Sequence, residues 1–287
     1  MGSFSVLNNI PSLNGQNQLY TNNLNLSVAL NRLASGKRIN TGADDAAGLQ
    51  IADSLRGNVM ALNQSARNAA DGISFLQIAD GALEQVTSLL HRAVTLATEA
   101  ESEILDQNAK NALDKEFRAL LSEINRIKTD TNFNGTILFD GKLDGINGAF
   151  AGPPPGNSDS LEIFVGDMSR TTSYVSVAIG TFTGSDLMSA SISNGGTTAL
   201  QHLKSGLAHI SGMRGSIGAG MNRLQAAINV INVTSMNTLA AESGIRDANM
   251  AAEISNLTKY QILAQTGMAA LAQANSNSQN ILNLLRS

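Results

Sequence analysis

The chain has 287 residues, no cysteine, no tryptophan, 4% aromatic residues and a net charge of −4 at an isoelectric point near 5.4. Without cysteine there are no disulfides, thiolate metal sites or cysteine nucleophiles, and an acidic chain offers no electrostatic footprint for nucleic acid. So few aromatics disfavour a thick core and favour slim helices that approach closely through small residues. The opening "MGSFSVLNNIPSLNGQ" lacks a basic segment followed by an apolar one, so no cleaved secretory signal is expected. No stretch has the length and apolarity of a membrane span, so no membrane partner is expected and the default location on these grounds is the cytosol.

Taken in chain order, the first 36 residues carry one charged side chain, Arg32. Leu19, Leu26, Leu30 and Leu33 recur among Asn and Ser, which reads as a heptad-like helix with an uncharged polar face. "SGKRINTGADDAAGLQIA" follows as a charged, glycine-punctuated connector. In it Ser35-Gly36 and Thr41-Gly42 end one helix, and Asp44 or Asp45 caps the next. Lys37 and Arg38 stand beside them as ion-pair partners. From about Asn58 to Ala100, Leu62, Ile73, Leu76, Leu83, Leu90 and Ala97 mark one long helical stripe. A break near Ser102–Asp106 precedes a second helix, on which Leu113, Phe117, Leu120, Ile124 and Ile127 share a face.

The texture then changes. "NFNGTILFDGKLDG" holds the turn signals Asn134-Gly135 and Asp140-Gly141 around the apolar run Ile137–Phe139, and "GAFAGPPPGNSDS" reads as a loop. Strand-like alternation follows at Leu161, Ile163 and Val165 and again at Val175, Val177 and Ile179. Beyond it, Leu200, Leu203, Leu207, Ile210, Ile217, Leu224 and Ile231 give another long helix. The chain closes on a stripe at Met250, Ile254, Leu257, Ala264, Met268, Leu271, Leu282 and Leu285, with no charged residue between Lys259 and Arg286. The two ends read as a pair.

No chemistry emerges from this pattern. His202 and His209 are too far apart on a helix to chelate as an i, i+4 pair, and the chain has no HExxH, GxSxG or P-loop motif. Adjacent Asp44 and Asp45 side chains do not converge, so capping is expected of them rather than acid–base work. "GSIGAG" at 215–220 interrupts a helical stripe, which makes it a place of close helix contact rather than a phosphate cradle. The expectation is a chain that is not an enzyme and uses no cofactor or metal.

"SGKRIN", "DDAAG", "SARNAADGIS", "NFNG" and the closing "LAQANSNSQNILNLL" resemble bacterial flagellin, in that family's order, over about residues 1–140 and 197–287. The resemblance implies a mainly α fold, with long antiparallel helices, the N- and C-terminal arms paired as a coiled coil and a small β-hairpin region in the middle. The domains expected are an inner one of residues 1–46 plus 247–287 with a connector at about 35–48, and an outer one of 47–246 holding a β excursion at about 132–196. The implied function is a structural subunit that self-polymerises into the extracellular flagellar filament, exported without a cleaved leader, which overturns the cytosolic default. Expected partners are other copies of the chain, an export chaperone, the filament cap and the hook-junction proteins. A hook–filament junction protein with similar ends is the second reading, and an enzyme carrying a catalytic insert the third. The residues assigned to assembly are Leu26, Leu30, Leu33, Arg38, Asn40, Asp44, Asp45, Met250, Ile254, Leu257, Met268, Leu271, Leu282 and Leu285, with outer contacts from Lys37–Gly48 and the flanks of the 58–130 helices. The family resemblance also implies recognition by the host innate receptor for flagellin through Arg92, Leu96 and Glu116, on a pattern from which His91 and Val94 depart.

Overall fold

The computed structural model describes residues 9–139, 160–167, 173–180, 191–193 and 196–286, without the side chains of 281–286. The turn expected at Asp140-Gly141 lies outside these residues, as does most of the Pro/Gly loop. In order come α1 (Ile10–Ser35), α2 (Ala46–Ala100), α3 (Gln107–Asp130), β1 (Asn132–Phe133), β2 (Thr136–Ile137), β3 (Ser160–Phe164), β4 (Tyr174–Ala178), α4 (Thr197–Arg246) and α5 (Met250–Arg286). This is the mainly α architecture expected, with two small antiparallel hairpins. Helix α2 starts well before Asn58, where its apolar stripe begins. Its N-terminus is set by cap chemistry, for Asp45 Oδ1 accepts the Gly48 N–H at 2.9 Å.

The chain divides into two compact units, Met1–Arg56 with Thr238–Ser287, and Gly57–Asn237. The second unit owns the larger core. Leu76, Leu90, Phe117, Ile210, Ile217 and Leu224 are fully buried there, drawn from α2, α3 and α4. Arg214 of α4 pairs with Asp80 of α2 at 2.8 Å. The β3–β4 hairpin turns Leu161, Ile163, Val175 and Val177 inward, in the register Leu161↔Val177 and Ile163↔Val175. It lies close on the helices because two glycines make room. Gly72 of α2 receives Ile163, and a Cβ on Gly220 of α4 would come within 2.6 Å of Val177. The small residues at 215–220 therefore admit a strand, not a second helix, and Gly215 and Gly218 face open space.

Carboxylates hold the segment leading into α4. Asp114 of α3 accepts the buried Ile192 N–H at 2.9 Å and the Ser191 hydroxyl at 3.0 Å, and pairs with Arg118 at 2.7 Å. Glu101 accepts the Gly196 N–H at 2.6 Å. A Cβ on Gly196 would strike the Ala97 carbonyl oxygen, so the α2–α4 approach requires glycine there.

Candidate assembly surface

In the first unit α1 and α5 run antiparallel. Asn9 donates to the Ala274 carbonyl, the Ser12 hydroxyl to Asn275 Oδ1 at 3.0 Å, and Arg32 meets Glu253 at 3.4 Å. The least exposed positions trace a three-four seam along each helix: Ser12, Gly15, Leu19, Asn22, Leu26, Ala29 and Leu33 on α1 face Glu253, Leu257, Tyr260, Ala264, Gly267, Leu271 and Ala274 on α5. That is knobs-into-holes spacing. Two seats are reciprocal: a Cβ on Gly15 would lie 2.8 Å from Leu271 Cδ2, and one on Gly267 would lie 3.2 Å from Leu19 Cδ1. Each glycine is the hole for the other helix's leucine.

This seam splits the apolar stripe read from the sequence. Leu26, Leu33, Leu257 and Leu271 lie in it, partly buried. Leu30, Met250, Ile254 and Met268 do not, being 46%, 45%, 52% and 56% exposed. The helices meet through leucines alternating with small and polar residues, and further large aliphatics are left on the flanks, joined there by Leu13, Leu24 and Ile262. Leu282 and Leu285 belong to α5, but their side chains are outside the described residues.

The connector is built from backbone. Gly36 ends α1 in the left-handed region at φ 71°, its N–H on the Arg32 carbonyl. Lys37 and Asp247 form an antiparallel bridge, the Arg38 N–H donates to the Arg246 carbonyl at 2.7 Å, and the Ala248 N–H donates to Gly36 at 2.9 Å. The ion pairs expected of Lys37 and Arg38 with the aspartates do not form. The Arg38 guanidinium donates to the Ile245 carbonyl, and Asp44 Oδ2 gathers the Thr41 N–H, the Thr41 hydroxyl and the Asn40 N–H. Those donors, Thr41 first, hold the Asp44 carboxyl below its ordinary value. The Asn40 amide bonds Ser35 Oγ at 2.8 Å. Sequence reasoning missed the charges that do pair, Arg246 with Asp53 at 3.0 Å and Arg32 with Glu253. The second had a signal: Arg32 is the one charge of the first arm, and Glu253 is the one acid of α5.

Farther along, Arg92 and Glu116 form an exposed ion pair at 2.7 Å between α2 and α3. Leu96 does not join them at the surface. It is 1% exposed and packs in the core. Among the described residues no cluster of His, Asp or Glu could hold a metal ion, and no helix is long and apolar enough to cross a membrane.

Two family models match this chain, the bacterial flagellin N-terminal helical region over residues 6–144 and the C-terminal helical region over 200–285. The chain belongs to the bacterial flagellin family. A flagellin of Halalkalibacterium halodurans is 36% identical over 98% of this chain and 99% of its own. The flagellar filament 31.3 kDa core protein of Treponema maltophilum is 32% identical, and a flagellin of Bacillus subtilis 34%, each with the same coverage. As a flagellin-family chain it is a structural subunit that self-polymerises into the flagellar filament. The alternative, a junction protein, has no better support: the three relatives named, matched end to end, are two flagellins and a filament core protein.

Proposed function

We propose that the aliphatic flanks of α1 and α5, outside their shared seam, are the faces that neighbouring copies cover in the filament. The carrying observation is Leu30, Ile254 and Met268 left exposed on helices whose outer sides bear almost no charge. Each such side chain is worth roughly 1.5–3 kcal/mol when fully buried. An outer face of amides and alanines can be covered without the cost of desolvating ions. Helical growth needs one face to meet a different face of the next copy, and the connector 37–48, with Asp44 exposed, supplies polar groups for the outer layer of that contact. The subunit reaches the filament by flagellar export, met on the way by a chaperone, the cap and the hook-junction proteins.

The paired arms are also proposed to be largely disordered in the free subunit and to fold on polymerisation. Amide exchange is the test. Residues 250–287 are expected to exchange rapidly in the monomer and slowly in the filament; protection in both states would overturn the proposal.

The exposed Arg92–Glu116 pair is the proposed contact for the host receptor, with Leu96 supporting α2 from behind. Arg92→Ala is expected to lower receptor signalling by about tenfold, the effect of losing ~1.4 kcal/mol of binding. A reporter-cell titration against the parent protein reads it, and an unchanged dose response would remove this site from consideration.

A further inference from the structure

The β1–β2 hairpin turns on two residues, with Phe133 paired to Thr136 across Asn134-Gly135. Asn134 has φ 49° and Gly135 φ 84°, the left-handed pair that a tight hairpin turn requires. Both residues are exposed. Among the described residues, neither the Asn134 side-chain amide nor the Gly135 N–H makes a hydrogen bond. The ladder holding the turn is two residue pairs long, continued by one bond from the Leu138 N–H to the Thr131 carbonyl at 3.1 Å, so little has to open for the turn to sample other conformations. The other described Asn-Gly pair, Asn14-Gly15, lies inside helix α1.

We infer that Asn134 is a site of spontaneous covalent modification, converted to aspartate and isoaspartate as the protein ages. The Gly135 backbone nitrogen attacks Cγ of Asn134, forming an N–Cγ bond. The side-chain nitrogen leaves as ammonia, taking the proton given up by the Gly135 amide, and a five-membered succinimide remains. Water then opens either carbonyl of the ring. Opening at Cγ restores the peptide link and gives aspartate; opening at the backbone carbon gives isoaspartate, in which the main chain runs through the former side chain. No oxidant, metal or enzyme is consumed. Glycine at the next position matters because a Cβ there would crowd the closing ring.

The position gives the reaction a consequence. Asn134 lies on the rim of a cleft of about 320 Å³ that Phe75, Phe133, Leu161 and Ile163 wall with apolar surface, and Asp71 and Glu162 already place carboxylates at its edge. Either product adds a third negative charge to that edge. Isoaspartate also lengthens the backbone by one methylene inside a two-residue turn. That strains the pairing of Phe133 with Thr136 and, with it, the edge-to-face contact between Phe133 and Phe75 at 5.5 Å. This inference is independent of how copies assemble.

The test is incubation of the full-length native subunit at mildly alkaline pH and 37 °C, with peptide mapping by mass spectrometry and methyl labelling by an isoaspartate-specific methyltransferase. A sample kept in urea sets the period in which the unfolded chain converts. Within that period the native peptide containing Asn134 is expected to gain about one dalton and to accept methyl groups. Asn134→Gln, whose closure to a six-membered imide is far slower, is expected to do neither at position 134. If native Asn134 stays an amide while the urea sample converts, the turn protects it and the inference fails. It fails equally if the methyl label and the added dalton, located by fragmentation of the peptide, map to residues other than Asn134.

Discussion

Removing residues 250–287 is expected to abolish filament formation while leaving residues 57–237 folded. The deletion takes away all of α5 and with it one wall of the seam, so Leu19, Leu26 and Leu33 lose the partners that half-bury them. Ordering α1 alone costs on the order of 1–2 kcal/mol per residue in backbone entropy, and a single helix with no facing helix has nothing to set against it. The second unit is spared because its buried cluster draws on α2, α3, α4 and the hairpins, none of which the deletion reaches. Electron microscopy after salt-induced polymerisation and a thermal melt followed by circular dichroism read the two halves of this expectation. Normal filaments from the truncated chain would sink it, and so would a lost cooperative transition for the remainder.

Asp114→Ala is expected to destabilise the second unit by about 1–3 kcal/mol for each buried partner left without a bond, the Ile192 N–H foremost. Asp114→Asn should cost less, since its amide oxygen still accepts from Ile192 and Ser191 while the charge facing Arg118 is gone. Urea melts of the three proteins order them. The same group gives a pH dependence with a defined sign. Burial pushes the Asp114 carboxyl up, but the Ile192 N–H, Arg118 and the Ser191 hydroxyl together hold it below the ordinary value of 3.8. A carboxyl lower in the folded than in the unfolded chain stabilises above the unfolded value and loses that contribution as pH falls through the folded one. Acid unfolding should therefore steepen below about pH 4 in the parent, more than in Asp114→Ala. Equal acid midpoints would show that the clamp contributes nothing.

The helices were legible because their periods persist over many turns: nothing but a helix places Leu113, Phe117, Leu120, Ile124 and Ile127 on one face. The turn at Asn134-Gly135 and the inward alternation of Leu161, Ile163, Val175 and Val177 were equally plain. The contact face of the arms was not. A hydrophobic stripe locates large side chains, whereas this seam is centred on Ser12, Gly15, Asn22 and Gly267, whose value lies in what they allow their neighbours to do. Helix spacing puts Leu96 close to Arg92, but the packing of α3 and α4 on α2 decided which side of the boundary it fell. The Asp114 clamp was out of reach, since nothing local ties it to Ser191 and Ile192.

The backbone stitching beside Gly36 has a kinetic consequence. Main-chain bonds join Arg38 to Arg246 and Ala248 to Gly36 at one end of the arms, and the Arg32–Glu253 pair stands directly beside them. With that end tethered, each later meeting of residues encloses a loop only slightly larger than the one before, and the entropy of closure grows slowly. Winding should therefore travel like a zip from the tether outward, with Leu19 settling on Gly267 before Leu271 reaches Gly15 and Ser12 finding Asn275 last. A flaw near the tether halts the whole sequence, whereas a flaw near Ser12 frays only the tip.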